Sequence, residues 1–161
     1  MRAERRVELA AVTRRVLPDL LEPIAASWRW LVPSSPGWSR NAHERAREAA
    51  RATLEGLATI LEQGDLNEHG WERVSNALAG EGHATPIEQE ELLRSVRVVG
   101  LERLNDILVA EAGLTRDERW TLQQETAGYI ETLMGGREEP GEEAYRTMLA
   151  ELERRGPDLR P

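Results

Sequence analysis

Residues 85–104 read Thr85-Pro86-Ile87-Glu88-Gln89-Glu90-Glu91-Leu92-Leu93-Arg94-Ser95-Val96-Arg97-Val98-Val99-Gly100-Leu101-Glu102-Arg103-Leu104, and their pattern decides the fold class. Thr85 and Glu88 stand three apart as a capping box, each side chain satisfying a backbone N–H that the first turn leaves free, and Pro86 suits that turn. Leu92, Leu93, Val96, Val99, Gly100 and Leu104 then recur at helical spacing. One cation, Arg97, is set at the margin of this stripe.

The same periodicity extends in both directions. Residues 2–17 read as a helix with Val7, Ala10, Ala11 and Val16 inward, and Pro18 is expected to open a second one carrying Leu20, Leu21, Ile24, Trp28 and Leu31. Pro23 inside that pattern implies a later start or a kink. After the loop 33–37, Ser39 can cap a helix to about Gln63 whose inward positions are Ala46, Ala50, Leu54, Leu57, Ile60 and Leu61. A shorter helix over 67–79 presents Trp71, Val74 and Leu78. The helix that begins at Pro86 is expected to run to about Ala112, with Gly113 in the left-handed position beyond it. Thr115 and Glu118 repeat the capping box before a helix to about Met134, with Trp120, Ala127, Ile130 and Met134 inward and Leu122 and Leu133 at its margins. Alternating apolar–polar runs that would mark strands are missing. The expectation is an all-α body of about six helices over 1–136. A charged linker and an amphipathic C-terminal helix with Tyr145, Met148, Leu149 and Leu152 on one stripe occupy 137–161.

Composition narrows the function. The chain of 161 residues contains no cysteine, so thiol catalysis, disulfides and thiolate metal sites are excluded. A formal net charge of −8 opposes the positive footprint that nucleic acid requires. The span from Leu114 to Gly128 has a helix-turn-helix-like rhythm, but Arg116 and Arg119 lie among Asp117, Glu118 and Glu125, a poor match for phosphates. No run of about 18 apolar residues suggests a membrane span, and residues 1–15 are too charged for a signal peptide, so a cytoplasmic protein is expected.

Chemistry-bearing constellations are sparse. His43, His69 and His83 show neither Glu-x-x-His nor His-Glu-x-x-His spacing, so no metal is expected. No histidine centres an apolar stripe and phenylalanine is absent, which opposes a haem pocket. Gly-x-Ser-x-Gly and phosphate-loop patterns are missing, so no catalytic residue and no cofactor are expected. Arg97 is singled out because a guanidinium at the edge of an apolar stripe must reach water, a carboxylate or a ligand anion. Of five tryptophans, Trp28, Trp71 and Trp120 fall on expected inward faces, while Trp30 or Trp38 suits an interface. Arg97, Trp28 and Trp120 are the expected ligand-binding residues.

The run Gly82…Pro86-Ile87-Glu88…Leu92-Leu93-Arg94-Ser95-Val96-Arg97-Val98-Val99-Gly100 resembles the central helix of a sensory domain shared by PucR-type transcriptional regulators and RsbR-type stressosome co-antagonists. The helices carrying Leu54, Leu57 and Leu61 and carrying Trp120 and Ile130 fit the same layout, and the resemblance spans about 16–135. It implies a globin-like helical fold without haem, homodimerisation, and a non-catalytic role passing a signal to a downstream regulatory protein or domain. The amphipathic tail would be the connector. Under this reading the chain is a sensory and dimerisation domain, either standalone or a piece of a longer regulator. The alternative is a small helical enzyme or cofactor-binding protein using Arg97 and carboxylates such as Glu102.

Overall fold

The computed structural model describes residues 1–31, 40–79 and 86–135, with backbone alone at 28–31, 40–42 and 86–88. Every element among the described residues is helical: α1 (Ala3–Leu31), α2 (Arg40–Gln63), α3 (Glu68–Ala79), α4 (Pro86–Ser95), a π-helical segment (Val96–Leu101), α5 (Glu102–Ala112) and α6 (Arg116–Gly135). The Thr85–Glu88 capping box and the whole of 137–161 lie outside the described residues.

α1 differs from expectation. It runs unbroken for 29 residues with both Pro18 and Pro23 inside it. A proline in a helix interior removes one backbone hydrogen bond and costs about 3 kcal/mol. Here Leu17, Leu20, Leu21 and Ile24 around it are all buried, so packing holds the helix where local propensity would end it. Pro18 itself faces outward. Val7, expected inward, is exposed; the inward stripe runs instead through Leu9, Ala10, Thr13, Val16 and Leu17. Buried Thr13 satisfies its hydroxyl on the Leu9 carbonyl at 2.8 Å.

α2 packs along α1 and places Ala46, Ala50, Leu54, Leu57, Ile60 and Leu61 in the core as its spacing requires. The α1 face also meets α4, the π segment and α5. Gly113 ends α5 in the left-handed region (φ 61°, ψ 42°). The second capping box forms in full: Thr115 N–H donates to Glu118 Oε1 at 3.1 Å, and Glu118 N–H donates to Thr115 Oγ1 at 3.2 Å.

The register of α6 is rotated from the expected one. Leu122, Thr126, Tyr129, Ile130 and Leu133 are buried, whereas Trp120 is 64 % and Met134 40 % exposed, and Ala127 also faces out. A long-range hydrogen bond accounts for the choice. Tyr129 Oη donates to the Thr53 carbonyl at 2.7 Å, and its ring lies 5.7 Å from that of Trp71. A buried hydroxyl needs such a partner, and satisfying it turns Trp120 to solvent.

α6 is also tied to the start of α1. Arg5 donates through Nε to Glu118 Oε2 and through Nη2 to the Ala112 carbonyl, both at 2.6 Å, and Arg6 pairs with Glu125. The Arg5 hydrogen bond, then the Thr115 N–H, holds the Glu118 carboxyl at about 2 instead of 4.5. Because the folded value is the lower one, this stabilisation is complete above about pH 4.5 and lost as pH falls toward 2. Both side chains are about one-fifth exposed, so the contribution is on the order of 1 kcal/mol. Urea unfolding at pH 5 and pH 3 should show that loss in the native sequence and a smaller one in Arg5→Gln.

Candidate functional site

The helix that begins at Pro86 carries an irregularity at its centre. Val96, Gly100, Leu104 and Leu108 are buried at successive spacings of four. In a plain α-helix each such step rotates about 40° beyond a full turn, so three would drift by about 120°. The wider π turn over Val96–Leu101 absorbs the excess and keeps one stripe on the core. Gly100 permits the approach, since a Cβ there would lie 2.6 Å from Ile24 Cδ1. Widened turns of this kind occur frequently at functional sites, because they re-aim side chains.

Two side chains are re-aimed outward, Arg97 and Val98; both are exposed. Arg97 forms no hydrogen bond or ion pair with any described residue, so the internal partner that a marginal arginine would ordinarily take is missing among them. It stands at the junction of two adjoining depressions. One, of about 300 Å³, lies between the π segment with α5 and the facing side of α6; Val98, Leu101 and Leu104 meet Leu122, Thr126 and Ala127 across it. The other, of about 490 Å³, continues along α6 past Ile130, Glu131 and Met134. Together they form a partly apolar groove in which Arg97, without a partner among the described residues, stands between the two halves.

Two buried polar atoms border the irregular turn without a partner among the described residues. Ser95 is fully buried and its Oγ is unbonded, and Asn105 Oδ1, in the wall of the smaller depression, is unbonded as well. A buried amide oxygen without a donor costs about 1–3 kcal/mol. A bound group bearing a donor would remove that cost at Asn105. Glu102 also lines this depression, yet no ion pair joins it to Arg97.

The expected ligand residues therefore separate. Arg97 lines the groove. Trp120 lies on α6 but lines neither depression, and its predominantly exposed ring corrects the expectation of an inward position. The Trp28 side chain, like Trp30 and Trp38, lies outside the described residues. Asn105 and Thr126 escaped sequence reasoning; the repeated spacing of four from Val96 to Leu108 was the available signal for a distorted turn beside them.

The histidines do not converge. His43 Nε2 lies 3.0 Å from Glu22 Oε1, His69 is exposed near the start of α3, and His83 lies outside the described residues. Among the described residues no group of three or more His, Asp or Glu could hold a metal, and no helix is long and apolar enough to cross a membrane. Compared with known protein families, curated proteins and solved structures, the chain matches none.

Proposed function

We propose that this chain is a non-catalytic sensory and dimerisation domain, of the kind found in PucR-type and RsbR-type bacterial regulators with a globin-like body, that binds a small apolar acid in the groove beside the π segment. The observation that carries this reading is Arg97, unpartnered among the described residues, on a widened turn over a partly apolar groove. A carboxylate on Arg97 would form a charge-assisted pair, and the apolar body would cover Leu101, Leu104 and Leu122. A ligand that grips the π segment shifts the balance between its wide and regular forms, and α5 turns with it. The exposed apolar side chains Val98, Trp120 and Met134 on this side of the fold supply material for contact with a second copy and, through it, a downstream regulatory partner. The net charge of −8 opposes direct nucleic-acid binding, and a cytoplasmic setting suits the role.

A second reading, a small helical enzyme or cofactor carrier, draws on the shared presence of Arg97 and Glu102 in one depression. Native mass spectrometry of the purified chain separates the two. A dimer, colourless and either empty or carrying a small organic acid that Arg97→Ala no longer retains, supports the sensory reading. A monomer, or a bound metal or chromophore, overturns it.

A further inference from the structure

A second concavity, of about 400 Å³, lies on another part of the fold, enclosed by α1, α2 and α3, and shares no lining residue with the Arg97 groove. Each helix sends an i,i+4 pair into it, so both members of each pair face the same way: Arg14 with Pro18, Arg51 with Glu55, and His69 with Arg73. Among the described residues, three guanidiniums, one imidazole and a single carboxylate line it, in a chain whose acidic residues outnumber its basic ones, 29 to 21.

The three arginines are held differently. Arg14 pairs with Glu62, and Arg51 lies 3.7 Å from Glu48; neither glutamate lines the concavity, so each anchors a guanidinium at the rim from outside. Arg73 makes no hydrogen bond or ion pair with any described residue. Beneath the charges the wall is apolar, with Leu17, Leu66 and Val74 all buried. A charge-assisted hydrogen bond from a guanidinium to an oxyanion is about twice as strong as one between neutral groups.

We propose that this concavity binds a small oxyanion-bearing metabolite, with Arg73 as the principal contact and Arg51 and Arg14 closing around it. The planar fork of arginine matches a phosphoryl group and a carboxylate equally well, so the shared chemistry is the oxyanion and two probes separate its sources. The site is independent of the apolar-acid groove.

The test is a calorimetric titration of the full chain with inorganic phosphate and, separately, with citrate, at constant ionic strength set by sodium chloride. Saturable binding of either probe is expected, with phosphate alone indicating a phosphorylated ligand, citrate alone a polycarboxylate, and both a general oxyanion site. Arg73→Gln should weaken it about tenfold, the loss of one charge-assisted hydrogen bond. Arg116→Gln, an equal change of charge on the exposed start of α6, should leave it unchanged. Absence of saturable binding by both probes, or equal weakening by Arg73→Gln and Arg116→Gln, overturns the proposal.

Discussion

Replacing Gly56 by alanine should lower the unfolding free energy by about 2 kcal/mol, although alanine is the better helix former by about 0.5–1 kcal/mol. Gly56 sits in the interior of α2, where Tyr129 crosses it. A Cβ there would stand 2.5 Å from Tyr129 Oη and 3.1 Å from Val74 Cγ2. The phenol has little freedom to retreat: Tyr129 is buried, its Oη is committed to the Thr53 carbonyl at 2.7 Å, and burial pushes its ionisation upward so that it remains a donor. Overpacking of this kind costs about 1–3 kcal/mol, and a displaced buried hydrogen bond adds about 1. Removing the hydroxyl should relieve most of the strain. In a Tyr129→Phe background the nearest remaining atoms are Val74 Cγ2 at 3.1 Å and the ring Cζ at 3.4 Å, so the penalty of Gly56→Ala should fall below about 1 kcal/mol. Urea unfolding of the four proteins measures this coupling, and a Gly56→Ala protein more stable than the native one would show that Tyr129 does not pack there.

Deleting Val98 should weaken binding of an apolar acid at least tenfold while leaving the helical fold intact. Without that residue the buried positions Gly100, Leu104 and Leu108 fall three, seven and eleven after Val96, a spacing that a regular α-helix accommodates on one face. The π turn then has no function in core packing and closes to an α turn. Arg97 loses the widened geometry that presents it over the groove, and the wall loses Val98. With octanoate as the probe, affinity should fall at least tenfold, about 1.4 kcal/mol, with the far-ultraviolet circular dichroism unchanged. Undiminished affinity in the deletion variant would mean that the π turn is incidental to binding.

Legibility along the chain follows how local each determinant is. Local signals read through correctly: the α2 stripe from Ala46 to Leu61, the Thr115–Glu118 capping box, and Gly113 in its left-handed position all rest on residues within one or two turns of each other. What failed depends on distant partners. Pro18 and Pro23 break a helix by local rule, and only the core beneath Leu17, Leu20, Leu21 and Ile24 holds α1 through them. The face of α6 is selected by Tyr129 reaching Thr53 across the bundle, so the aromatic Trp120, inward by hydrophobicity alone, is turned out. At the groove, Arg97 was legible as a cation out of place on an apolar stripe. Its neighbours were not, because Asn105, Thr126 and Ala127 join it only through the packing of α6 against the irregular turn. The convergence of Arg14, Arg51 and Arg73 on one concavity was equally hidden, since the three lie on different helices.

The measurement that bears most directly on the site is an octanoate titration of the full chain followed by amide chemical shifts. The groove reading predicts saturable changes concentrated at Val96–Leu101 and at Leu122, Thr126 and Ala127, and their disappearance in Arg97→Ala. Octanoate that fails to bind, or whose changes fall instead on α1, α2 and α3 around Arg73, would contradict it.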